Sequence, residues 1–95
     1  MSHDFEKIRH YFAFHIERER GLSVHTVRAY LGDVDSLLAH LDSLGVRDFS
    51  QLTLAHIRSW LANQQVKGGA RTTLSRRAVS IRIFTKWAHK KGFLA

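Results

Sequence analysis

Between Ser23 and Gly45 the chain carries Val24, Val27, Leu31, Val34, Leu38 and Leu41, an apolar set with strict three- and four-residue spacing. That period buries one stripe of an α-helix and does not suit the two-residue alternation of a half-buried strand. Tyr30, Leu37 and Leu44 widen the stripe to nearly half the cylinder. A helix so covered needs partners on two sides, which places it at the centre of an all-α bundle. Three further segments follow the same logic. The first runs from about Asp4 to Arg20, with Phe5, Ile8, Phe12 and Ile16 on one face and Gly21 as its stop. The third follows Thr53 to about Val66, with Ile57, Trp60 and Leu61 turned inward. The fourth runs from about Thr72 or Thr73 to Lys91, ahead of Gly92. Ser23 and Thr53 are good N-caps, glycines end the segments, and no proline interrupts them. Gly68 and Gly69 permit a sharp turn into the fourth helix. The expected fold is a compact bundle of four main helices.

Ninety-five residues make one domain, 1–95, near the small end of what builds a single core. A hydrophobic content of 44% and an aromatic content of 11% suit a packed fold rather than disorder. The absence of cysteine excludes disulfides and thiolate metal sites and fits a reducing cytoplasm. MSHDFEKIRHYF carries charges throughout and lacks the apolar core of a signal peptide. No run approaches the roughly 20 apolar residues that span a bilayer, so no membrane partner is expected.

The net charge of +7 is unevenly placed. Residues 1–66 hold seven Lys/Arg against all eight acids, and residues 67–95 hold the other eight bases with no acid. Such asymmetry points to a polyanionic partner for the last third of the chain. There, ARTTLSRRAVSIRIF threads Arg71, Arg76, Arg77 and Arg82 among hydroxyls and core-type residues. On a helical projection Leu74, Ala78, Ile81, Phe84 and Ala88 share a broad face, and Val79, Ile83 and Trp87 form a second apolar strip. Ser75, Arg82, Lys86 and His89 lie between them. Arg71, Thr72, Thr73, Arg76 and Arg77 crowd the helix start, where free N–H groups and the positive dipole end favour an anion rather than more cations. A phosphate there would meet N–H groups, hydroxyls and guanidinium together, and arginine also reads guanine in the major groove. The second helix repeats the arrangement through Ser23, His25, Thr26 and Arg28, although Ser23 is accounted for by capping alone. His25, Ala29, Gly32 and Ser36 form a small or polar strip facing away from the apolar stripe.

The seven histidines do not make a metal site, because His3, His10 and His15 lack the i,i+4 spacing of a zinc helix. Gly68-Gly69 lacks the Lys and Ser/Thr of a phosphate loop, and no nucleophile–base constellation is present. No metal, no cofactor and no catalytic residue is expected.

The pattern Ser23-x-x-Thr26-x-x-x-Tyr30-x-x-Asp33, followed by Arg76-Arg77-x-x-Ser80-x-Arg82-x-Phe84, resembles the N-terminal core-binding domain of Xer-type tyrosine recombinases. GLSVHTVRAYLGDVDSLLAHLDSLG is similar to the segment supplying that family's second helix. The resemblance implies a SAM-like helical bundle that forms half of a clamp around a double-stranded recombination site in chromosome dimer resolution. It implies DNA contacts from the starts of the second and fourth helices: Ser23, His25, Thr26 and Arg28, then Thr72, Thr73, Arg76, Arg77 and Ser80, with Arg71 and Arg82 meeting phosphate. It also implies a paralogous or identical recombinase protomer as neighbour on DNA, an isolated domain that is monomeric, and a nucleoid-associated, cytoplasmic location. The family's catalytic arginines, lysine, histidines and nucleophilic tyrosine have no counterparts here, since Tyr11 and Tyr30 lie in helices of the binding domain. The chain is thus expected to be a binding domain without its catalytic half and not an enzyme by itself. Two other functions fit the basic helix less well. A helix-turn-helix regulator needs adjacent DNA-reading helices, whereas a whole helix intervenes here. A helical protein-interaction module would take an acidic partner.

Overall fold

A computed structural model describes residues 3–94, with side chains from Asp4 onward; Met1, Ser2, Ala95 and the His3 side chain lie outside it. Helix α1 spans His3–Phe14 and passes without a break into a π-helical turn, His15–Glu19. Then come α2 (Val24–Ser43), a 3-10 turn (Phe49–Gln51), α3 (Leu54–Val66) and α4 (Arg71–Lys90). Helix α2 packs against α1, α3 and α4, as its two-sided stripe requires. Among the described residues there is no strand.

The helix starts follow local chemistry. Ser23 is extended and its side chain accepts from Thr26 N. Thr53 caps α3 in a reciprocal box: its hydroxyl accepts from His56 N, while His56 Nδ1 accepts from Thr53 N at 3.0 Å. Gly45 (φ 79°) and Gly68 (φ 81°) supply the left-handed residues that turn the chain after α2 and α3, a conformation that costs other residues free energy. Three details differ from the sequence expectation. The first helix changes its winding at His15, where Arg20 N reaches back five residues to His15 O at 3.0 Å. The fourth begins at Arg71, ahead of both threonines, because Ala70 takes the extended N-cap conformation without a capping side chain. The 3-10 turn at Phe49 was not anticipated. Asp48 caps it, and Phe49 N donates to Asp4 Oδ2 at 3.0 Å, which ties the turn to the start of α1.

Phe5, Ile8, Phe12 and Ile16 of the first segment are all buried, together with Val34, Leu37, Leu38 and Leu41 of α2, Phe49, Trp60, and Ile81, Phe84, Trp87 and Ala88 of α4. Phe84 is the aromatic hinge of this core, with ring centroids 4.8 Å from Phe12 and 5.4 Å from Phe49. Tyr30, Ile57 and Leu61 pack on its margin. On α4 burial is confined to one side. Leu74 is half-buried, but Ala78 is exposed, and in the second strip only Trp87 is buried while Val79 stays 50% exposed. The radius of gyration, 12.7 Å, is close to that of one folded domain of this length, about 12.4 Å.

Candidate nucleic-acid interface

One buried carboxylate organises the residues singled out from sequence. Asp33, on the α4-facing side of α2, is fully buried. Arg76 grips it with both arms of its fork, Nε to Oδ2 at 3.1 Å and Nη2 to Oδ1 at 2.6 Å. Arg77 Nε donates to Oδ1 at 3.2 Å, and Ser80 Oγ donates to Oδ2 at 2.7 Å. At 100° per residue Arg76 and Arg77 leave α4 on opposite flanks of Ser80, so the two guanidiniums close on Asp33 from either side. Arg77 Nη1 also donates to Gln64 Oε1, linking the hub to α3. Two positive charges against one negative leave the cluster at +1. A buried carboxylate is costly without such partners, and fork-shaped pairing fixes guanidiniums in place as well as neutralising charge. Its hydrogen bond to Asp33 raises the Arg76 guanidinium above its ordinary value, against the opposing effect of burial.

The hub bolts the first half of α4 to the first half of α2. Thr26, Tyr30 and Asp33 lie along one side of α2. Thr26 also receives a hydrogen bond from Ser23 Oγ at 3.0 Å. Across the seam Arg71 and Thr72 are exposed and Thr73 is half-buried. Of the three α-helices whose N-cap is described, α4 alone has no capping side chain. Its first turn therefore leaves N–H groups without side-chain acceptors beside Arg71, an arrangement that suits a bound anion.

The sequence candidates are not all brought together. His25 and Thr26 stand at the α2 start, with Arg71, Thr72, Thr73 and Arg76 at the α4 start. Arg76 keeps 40% of its side-chain surface exposed and Arg77 only 23%. Ser80 is fully buried, so it has no surface to offer DNA; it holds Asp33 instead. Arg28 leaves α2 on the far side from Asp33, beside the Arg9–Asp35 ion pair (2.5 Å) in a separate groove of about 480 Å³. Arg82 follows Ser80 by only two residues but leaves α4 on the opposite side, about 160° round the helix from it. The polar strip of α2 is open at His25 and Gly32, but Ser36 at its lower end accepts Trp60 Nε1 at 2.9 Å and is covered by α3. Asp33 itself was missed as a working residue. Its partners lie 43, 44 and 47 positions away, beyond any local pattern. Among the described residues no group of three or more His, Asp or Glu could hold a metal ion, and no helix is long and apolar enough to cross a membrane.

Residues 8–92 match the family described as phage integrase, N-terminal SAM-like domain, and the chain belongs to that family. Its similar relatives include tyrosine recombinase XerC of Mycobacterium leprae (strain TN), 50% identical over 84 residues, which cover 88% of this chain and 28% of the relative. Tyrosine recombinase XerC of Mycobacterium sp. (strain JLS) is 44% identical over 91 residues, 95% of this chain and 30% of the relative. XerC of Mycobacterium bovis (strain BCG / Pasteur 1173P2) is 52% identical over 75 residues, 79% of this chain and 25% of the relative. The chain thus spans less than a third of the length of these relatives. No solved structure gives a significant match.

Proposed function

We propose that this domain is the DNA-gripping part of a Xer-type tyrosine recombinase, holding half of a recombination site through the starts of α2 and α4. The observation that carries the reading is the Asp33 hub, which locks the two helix starts together and leaves a net positive cluster with Arg76 partly exposed at their seam. His25, Thr26, Thr72, Thr73 and Arg76 face the DNA, and Arg71 meets a backbone phosphate beside the uncapped first turn of α4. Arg77 and Ser80 support that surface from beneath. Most protein–DNA hydrogen bonds go to the backbone, so sequence preference rests on few of these side chains. Strand cleavage and rejoining, in the service of chromosome dimer resolution, belong to a catalytic domain outside these 95 residues. A neighbouring protomer on DNA meets the exposed end of α1, where Phe14 is 57% exposed and Tyr11 44%.

Fluorescence anisotropy with a duplex half-site tests the reading. If about five phosphate contacts form, the logarithm of the binding constant falls against log salt with a slope near −4.5. A slope near zero, or displacement by an acidic polypeptide as readily as by duplex DNA, would refute it.

A further inference from the structure

A second cluster of positive charge lies away from the helix starts. Arg82, Lys86 and Lys90 descend the outer face of α4 at intervals of four residues, and the π-helical turn brings Arg20 to their side. Together with His15 and Trp87 they line a groove of about 620 Å³. Of the arginines elsewhere, four meet acids, Arg9 with Asp35, Arg47 with Asp42, and Arg76 and Arg77 with Asp33, while Arg18, Arg28, Arg58 and Arg71 stand singly among the described residues. The groove gathers four such cations in one place: none has an ion pair or a side-chain hydrogen bond among the described residues, and all four are exposed. Glu19, next to Arg20 in the chain, is turned to His15 Nδ1 at 3.0 Å. Trp87, on the wall, is 7% exposed, and among the described residues its buried Nε1 has no hydrogen-bond acceptor, although a buried indole N–H normally finds one.

We infer that this groove binds the sugar–phosphate backbone of duplex DNA, as a second contact separate from the helix starts. The inference rests on the DNA-binding reading and extends it. Arg71, Ser75, Arg82 and Lys86 share one face of α4, and that helix of twenty residues is about 30 Å long. The three cations of that face, Arg71, Arg82 and Lys86, span fifteen residues, about 22 Å, and so fit within one turn of duplex, about 34 Å. Unpaired lysines and arginines on such a row lose little on meeting phosphate, because no internal partner has to be given up. The groove contributes affinity and salt dependence, not base preference.

The test compares the 95-residue chain with the Arg82→Gln/Lys86→Gln/Lys90→Gln triple variant on duplexes of several sequences, across a salt series. All three positions are exposed, and an unchanged circular dichroism melt checks the fold. The triple variant should show a log–log salt slope shallower by about 2 to 3, with the ranking of sequences preserved. On titration with duplex, the indole N–H resonance of Trp87 should shift, while that of Trp60, already bonded to Ser36, stays in place. An unaltered slope, or a Trp87 resonance unmoved at saturation, overturns the inference. So does a triple variant that keeps its DNA affinity but loses binding to poly-glutamate, which would assign the groove to an acidic polypeptide. An Arg71→Gln/Thr72→Ala variant separates the two levels. If it weakens DNA binding and the triple variant does not, only the groove assignment fails. If the parent chain binds no duplex, the DNA reading and the groove fall together.

Discussion

Asp33 has more consequences than any other side chain in this domain. Replacing it with Asn keeps an acceptor for Ser80 but removes the charge that two arginines share. Breaking a fully buried ion pair costs about 3–5 kcal/mol. Here Arg76 and Arg77 retain some contact with water, so Asp33→Asn should cost about 2–3 kcal/mol, read from urea unfolding. Ser80→Ala should cost about 1 kcal/mol. A second residue sets a pH response. Burial, then the nearby charges of Lys67 and His56, lower His40 below its ordinary value of 6.5. The folded protein thus holds that proton less tightly than the unfolded chain does. The stability contributed by His40 is full above about pH 6.5 and drains away as pH falls towards the lower folded value. Unfolding titrations from pH 7 to 5 should show a smaller loss for His40→Gln than for the parent.

At the scale of the helix, α4 is defined by what its start lacks. Ala70 is an N-cap without a side-chain acceptor, followed by a turn containing Arg71. Ala70→Asp would supply both an acceptor and a negative charge at the dipole's positive end. That should raise stability by about 1 kcal/mol while lowering duplex affinity, measured by melting and by anisotropy on one preparation. Equal or improved affinity would mean that DNA does not approach this end. The same helix shows what could be read from sequence. Helices α2 and α3 were legible to within a residue, because Ser23, Thr53 and Gly45 carry their structural instruction locally. The start of α4 was shifted, since its two threonines look like caps but lie inside the first turn. The π-helical turn left no sign, because Phe12 and Ile16 keep ordinary helical spacing across it. Of the proposed interface, Arg71 and the hydroxyls at the helix starts were singled out from charge asymmetry and their place in the sequence. The inward turn of Arg76, Arg77 and Ser80 was not, since it depends on a carboxylate over forty residues earlier.

Across the whole molecule, one core ties every element to every other. Trp60 on α3 and Trp87 on α4 belong to the same cluster of buried side chains, and α2 touches all the other helices. A bundle so connected should unfold in a single step. Tryptophan fluorescence and helical circular dichroism should therefore give the same urea midpoint. Separate midpoints would show that α4, with its load of unpaired charge, can detach by itself.

The shared carboxylate also shapes how this sequence can drift. With two guanidiniums on one acid, either arginine can be lost while the other still neutralises Asp33, so a first substitution is cushioned. Losing both strands a buried charge, and the combined penalty exceeds the sum of the single ones. Once one arginine has gone, the other is no longer expendable, and Asp33 must change before it does. Descendants of this chain are thereby confined to particular orders of replacement, a constraint that no single present-day residue reveals.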